Sequence, residues 1–115
     1  MARLLYDTDV LIDHLEGRRA LPVGNDLAYS CVSRAELYSW AAADEDRLDA
    51  FLDPLEEIVL DREVAEQAGH IRRGIRIKMP DAVIAATALV TRRELVTRNA
   101  KDFRKVKGLR LASHK

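Results

Sequence analysis

"LLYDTDVLID", residues 4–13, starts as a buried strand and then sets aspartates at 7, 9 and 13 among Leu, Val and Ile. An apolar run followed at once by an acid marks the end of a strand at the rim of an α/β sheet. On this reading "RLLY" (3–6) is a short strand, and "DVLIDHLEG" (9–17) is a helix closed by Gly17. The same pattern continues along the chain. "ALPVGND" (20–26) is a loop broken by Pro22 and Gly24, and "LAYSCV" (27–32) is a second strand. Ser33 opens the helix "RAELYSWAAA", and the helix "EDRLDAFLD" (45–53) stops at Pro54. "EIVL" (57–60) is a third strand, apolar enough to be buried on both faces like "RLLY".

"REVAEQAGHIRRGI" (62–75) is amphipathic, with Val64, Ala68 and Ile71 on one face. Pro80 starts a helix through "DAVIAATALV", apolar nearly all round and therefore central. "ELVT" (94–97) and "LRLA" (109–112) are strands, with the short helix "AKDFRKV" between them. Alternating strands and helices predict one α/β domain over residues 1–115: a central parallel sheet of four to five short strands, flanked by helices on both faces. There is no internal repeat, low-complexity tract or linker.

A length of 115 residues suits one domain, and 48% hydrophobic with 33% charged residues suits a soluble globular fold. The single cysteine, Cys31, excludes an internal disulfide framework and points to a reducing cytoplasm. The apolar run at 82–90 is far short of the roughly 20 residues that span a bilayer. Asp7 and Asp9 fall where the apolar core of a signal peptide would sit. The net charge of zero hides a polarity: residues 1–66 carry sixteen acids and six bases, residues 67–115 three acids and thirteen bases. The basic half suits phosphates or an acidic partner, or equally an ordinary solvated face.

Ligands of open parallel sheets bind beyond the carboxyl ends of the strands. Asp7 follows the first strand, Glu36 falls in the first turn after the second, and Asp81 in the first turn of the central helix. Asn99 lies two residues beyond "ELVT". Each also has a structural reading: Asp7 as a helix cap, Ser33–Glu36 as a capping box, and Asp81 as a charge at a helix start. Capping and chemistry are compatible, because helix starts at strand ends are where such a fold presents its site. Carboxylates brought together repel unless a cation joins them, and hard oxygen donors favour Mg2+ or Mn2+. His14, His70 and His114 show no ligand spacing; His70 reads as a helix-surface residue and Cys31 as a small core residue. There is no Gly-rich phosphate loop and no Ser or Cys nucleophile motif.

Four stretches in register, "LLYDTDVLIDHL", "SCVSRAELY", "KMPDAVIAATAL" and "LVTRNAKDF", with a weaker match in "VLDREVAEQAGHIRR", resemble the PIN-domain family, specifically its VapC-type toxins of type II toxin–antitoxin systems. The resemblance implies a Mg2+-dependent (or Mn2+-dependent) endoribonuclease, an RNA substrate, a cognate antitoxin and a homodimer. By motif Asp7, Glu36 and Asp81 match the family's first three acids; Asn99 takes the place of the fourth, keeping an oxygen and losing a charge. Asp7 and Asp81 would hold the metal, Glu36 and Asn99 its waters, and the basic segment from Arg92 to Arg110 would guide the RNA. Asp9 is assigned to the helix start, Asp13 to the exposed face, and Asp102 to the solvated side of its helix, turned away from Asn99.

Three other readings compete. A phosphoacceptor receiver domain would use Asp7 with Asp9, Asp61 and Lys101, but the acidic pair is not adjacent, no Pro follows Lys101, and Glu36 and Asp81 are left without a role. A haloacid-dehalogenase-type phosphatase needs Thr or Val where this chain has Leu11. A PIN domain that binds without cutting is kept open by Asn99. Leu37 reads as core; Trp40 is left between core and a groove for an antitoxin helix.

Overall fold

The run Arg3–Tyr6 is strand β1 in the computed structural model of the chain, which describes residues 2–20, 26–40 and 42–112. The other described elements are α1 (Thr8–Leu15), β2 (Asp26–Ser30), α2 (Cys31–Tyr38), α3 (Glu45–Leu52), β3 (Glu56–Ile58), α4 (Arg62–Gly74), α5 (Met79–Thr91), β4 (Glu94–Val96) and α6 (Ala100–Phe103). The strands are all parallel, in the order β3-β2-β1-β4. The chain thus builds outward from β1 to β3, then crosses back to lay β4 on the other side of β1. That reversal makes the carboxyl ends of β1 and β4 the switch point where such a sheet opens a crevice.

The two-residue period of the strands sorts their side chains between two cores. Leu5, Ala28 and Leu95 face a cluster with Val64 and Ala68 of α4, the alanine-rich face of α5, and Phe103. Leu4, Tyr6, Tyr29 and Val96 face the opposite cluster with Val10, Leu11, Leu37, Leu48 and Leu52. Helix α5 is buried continuously from Ala82 to Ala88, and the buried Thr87 hydroxyl is satisfied by donating to Val83 O at 2.7 Å. It ends where Arg92 takes the left-handed conformation, φ 57°. Gly17, φ +76°, follows α1 as the sequence predicts.

Three expectations are corrected. The helix after β2 begins at Cys31, with Ser30 as its cap accepting from Val32 N at 3.1 Å, because β2 stops pairing two residues before the run "LAYSCV" ends. "EIVL" is an exposed edge: only Glu57 and Ile58 of it lie in β3, and Val59 and Leu60 are exposed. "LRLA" forms a single parallel bridge between Leu111 and Leu95, so the described sheet has four strands. The loop expected around Pro22 and Gly24, and His114, lie outside the described residues.

Arg93 closes the amino end of the sheet. Its guanidinium, 1% exposed, donates to Leu4 O, to Asp26 Oδ1 at 3.1 Å and to Glu56 Oε1 at 3.0 Å, tying three neighbouring strands. None of the described helices is long and apolar enough to cross a membrane.

Candidate active site

At the carboxyl end of β1, Asp7 caps α1: its Oδ1 accepts from Thr8 N at 2.8 Å. Its Oδ2 accepts from the buried Thr97 hydroxyl, just past β4, at 2.7 Å. The capping role and an inward-facing carboxylate therefore coexist, as each oxygen keeps a second lone pair. Burial pushes the Asp7 carboxyl up to about 7, against the bonds from Thr97 and Thr8 and helped by the charges of Asp9 and Asp81.

Glu36 arrives from α2, in its second turn rather than the first. Its Oε1 accepts from the Thr8 hydroxyl at 2.6 Å, and that hydroxyl is 2.8 Å from the buried Ser33 Oγ. The capping box is thus replaced by a bond between elements. Asp81 occupies the first turn of α5, behind Pro80. Burial and then Glu36 raise its carboxyl above the usual range, with Lys78 opposing and Asp102 and Asp9 adding to the rise. Asn99 caps α6 from the strand β4 side, and its backbone N–H donates to Thr97 Oγ1 at 2.9 Å.

All four predicted residues line one cavity of about 400 Å3, together with Thr8, Asp9, Ile12, Ser39 and Trp40. Among the described residues no three His, Cys, Asp or Glu side chains close into a ready-made ligand cage. The acids instead form the wall of an open crevice, an arrangement suited to a hard cation that keeps part of its water shell. Neither described histidine joins them: His14 is buried against the Tyr6 ring and His70 is exposed on α4.

The structure moves two aspartates, Asp13 and Asp102, and gives Asp9, which keeps its expected place in the first turn of α1, a further position on the cavity wall. Asp102 faces Asn99, accepting from its Nδ2 at 3.0 Å. Asn99 has non-helical dihedrals, φ −102° and ψ 50°, so the pair is related as cap and third helical residue, which face each other. Because a carboxylate takes the NH2 group, the amide oxygen is left for the cavity. Asp9 lines the cavity, with Oδ1 buried and without a hydrogen bond and Oδ2 3.7 Å from Arg98 Nε. Asp13 is buried and ion-paired with Arg18 at 3.1 Å and Arg98 at 3.4 Å. Sequence reasoning misses Thr8 and Thr97, although Thr8 follows Asp7 directly and Thr97 follows β4 two residues before Asn99.

The basic segment also divides. Arg92, Arg93 and Arg110 gather at the amino end of β4, away from the acids, where Arg110 O accepts from Leu95 N and Arg110 donates to Arg92 O. A second groove, of about 550 Å3, adjoins the acidic cavity through Asp81 and Asn99 and is lined by Arg72, Arg76, Ile77, Lys78, Asp102 and Lys105.

The PIN domain family model matches residues 4–109. Ribonuclease VapC1 of Methanocaldococcus jannaschii is 30% identical over 96% of this chain and 87% of its own. Ribonuclease VapC19 of Mycobacterium tuberculosis is 31% identical over 86% of this chain and 90% of its own. Among solved structures, a toxin–antitoxin complex from Klebsiella pneumoniae contains a chain 34% identical, with a TM-score of 0.78 over 92% of this chain and 94% of that one. The DNA-bound VapBC of Salmonella typhimurium shares the fold at a TM-score of 0.81 over 97% and 98% of the two chains, with 24% identity.

Proposed function

We propose that this chain, which belongs to the PIN-domain family, is the ribonuclease toxin of a toxin–antitoxin pair and cleaves RNA at the Asp7 cavity with a Mg2+ or Mn2+ cofactor. The observation that carries the reading is the meeting of Asp7, Glu36, Asp81 and Asn99 on one cavity, with the Asp7 carboxyl buried there and pushed up by that burial. Such a group is one that a divalent cation would return to its ionised form, so the donors present fit the ion. Asp7 and Asp81 would hold it, with Glu36 and Asn99 on its waters.

When bound, the cation supplies Lewis acidity, easing deprotonation of a water and offsetting charge at phosphorus. The chain's own residues provide the order that this chemistry needs. Thr97 and the Thr8 N–H fix the two oxygens of Asp7, and the Thr8 hydroxyl fixes Glu36. Asp102 holds the Asn99 NH2 group, which leaves the amide oxygen free of that bond. These bonds hold the donors before substrate arrives, so little reorganisation accompanies the reaction.

The likeness to the Klebsiella pneumoniae complex supports a cognate antitoxin as partner. A homodimer and a cytoplasmic setting complete the proposal. Asn99 in place of a fourth acid favours one second reading, a PIN domain that binds without cutting.

The test is cleavage of single-stranded RNA by the purified chain, free of antitoxin, in Mg2+, then in EDTA, then with Mn2+ restored. Cutting should stop in EDTA and return with Mn2+, and Asp81→Asn should lower the rate by about 10²-fold or more. Undiminished cutting by Asp81→Asn, or cutting indifferent to EDTA, refutes the proposal. Stabilisation by Mg2+ without any cutting assigns the second reading.

A further inference from the structure

Resting on the ribonuclease reading, we propose that the groove between the end of α4, the start of α5 and the turn after α6 seats the phosphate backbone on one side of the scissile bond. Arg72, Arg76, Lys78 and Lys105 are its phosphate contacts.

The first argument is position. The groove and the acidic cavity share Asp81 and Asn99, so a strand held in one runs directly into the other. The second is charge: four cations face the two carboxylates Asp81 and Asp102. The third is pairing. Arg3, Arg18, Arg34, Arg93 and Arg98 all stand in ion pairs with carboxylates, whereas among the described residues no ion pair ties Arg72, Arg76, Lys78 or Lys105. Arg72 is also anchored in place, its Nε donating to Ile77 O at 2.9 Å, which leaves its terminal N–H groups for an anion.

The opposite exit from the acidic cavity has different chemistry. Beyond Trp40 lies a hollow with the apolar Leu15, Ala43 and Leu48, the acids Glu16 and Asp44, and one base, Arg47, whose guanidinium donates to Leu15 O. Acids outnumber bases there, two to one, whereas the α4–α5 groove has four bases to two acids. RNA is therefore held asymmetrically, with its electrostatic binding concentrated on the α4–α5 flank.

The experiment measures binding of a fluorescently labelled single-stranded RNA to the full chain in EDTA, where binding is separated from cutting, across a series of salt concentrations. Each phosphate contact on a single strand contributes about 0.7 to the slope of log K against log salt. R76Q/K105Q should therefore flatten the slope by about 1.4, so that the wild type loses about sevenfold more affinity than the variant between 50 and 200 mM salt. The control R92Q/R110Q, at the other end of the sheet, should keep the wild-type slope. Both substitutions alter exposed side chains, and circular dichroism should match the wild type. A wild-type slope in R76Q/K105Q, or equal flattening in the control, overturns the proposal while leaving metal-dependent cutting intact. Loss of hexaglutamate binding with RNA binding unchanged would give the groove to an acidic peptide and overturn it too. A wild-type chain that neither binds nor cuts RNA would refute both this inference and the ribonuclease reading.

Discussion

Replacing Asp7 with asparagine should end cutting and at the same time make the metal-free protein more stable near neutral pH. Asp7 is 6% exposed, and burial above all pushes its carboxyl from 3.8 to about 7, with Asp9 and Asp81 adding to the rise. The native state keeps a proton that the unfolded chain has already released, so this group lowers stability as pH climbs from its free value to its folded one. Above pH 7 the ionised native state carries a penalty of about 4 kcal/mol. Asparagine never ionises, but it cannot accept both hydrogen bonds, from Thr8 N and Thr97 Oγ1, that Asp7 accepts; that loss costs about 1 kcal/mol. The balance is a gain of about 3 kcal/mol at pH 8, shrinking towards nothing near pH 4. Urea unfolding of both proteins in EDTA at unit steps between those pH values reads it directly. Mg2+ at about 100 times its dissociation constant should then stabilise the wild type by about 2.7 kcal/mol and the variant little, closing the gap. Parallel stability profiles in EDTA, or a variant less stable at pH 8, would refute the account of Asp7 as a strained carboxylate.

Thr97→Val removes a buried hydroxyl that donates to Asp7 and accepts from Asn99 N, and should cost about 1–3 kcal/mol in thermal unfolding and slow cutting. Glu36→Gln keeps an oxygen for the Thr8 hydroxyl, so its unfolding midpoint should stay near the wild type while RNA cleavage falls. Arg93→Met should separate stability from activity. It severs bonds to Leu4 O, Asp26 and Glu56 and lowers stability by about 1–3 kcal/mol, but folded protein should cut RNA at the wild-type rate, because Arg93 sits at the far end of the sheet.

What the sequence made legible was local. "RLLY" ending at Asp7, and Pro80 with Asp81 ahead of an all-round apolar helix, are patterns whose causes lie within a few residues, and each stands where it was expected. Choices that depended on distant partners were not legible. Ser30 and Ser33 have the same capping chemistry, and only the end of β2 pairing decides between them. "EIVL" is as apolar as an inner strand, yet β3 is an edge strand, a fact settled by order in the sheet and not by composition. Asp9 stands at the start of α1 as expected, but its share in the cavity and the burial of Asp13 were not legible, because Arg98, which covers both, lies most of the chain away. Asp102 was readable: "NAKD" has the spacing of a cap and its third residue, which brings the two side chains together.

Trp40 is the chain's single tryptophan, 43% exposed, and it stands on the wall of the cavity that holds Asp7 and Asp81 and of the hollow beside it. The protein therefore carries its one indole, which can be excited apart from its tyrosines, at the mouth of its own crevice. Any occupant, whether ion, RNA or antitoxin segment, changes the solvent around that indole. Occupancy can be followed in the unlabelled protein by its emission, in real time, before a single bond is cut.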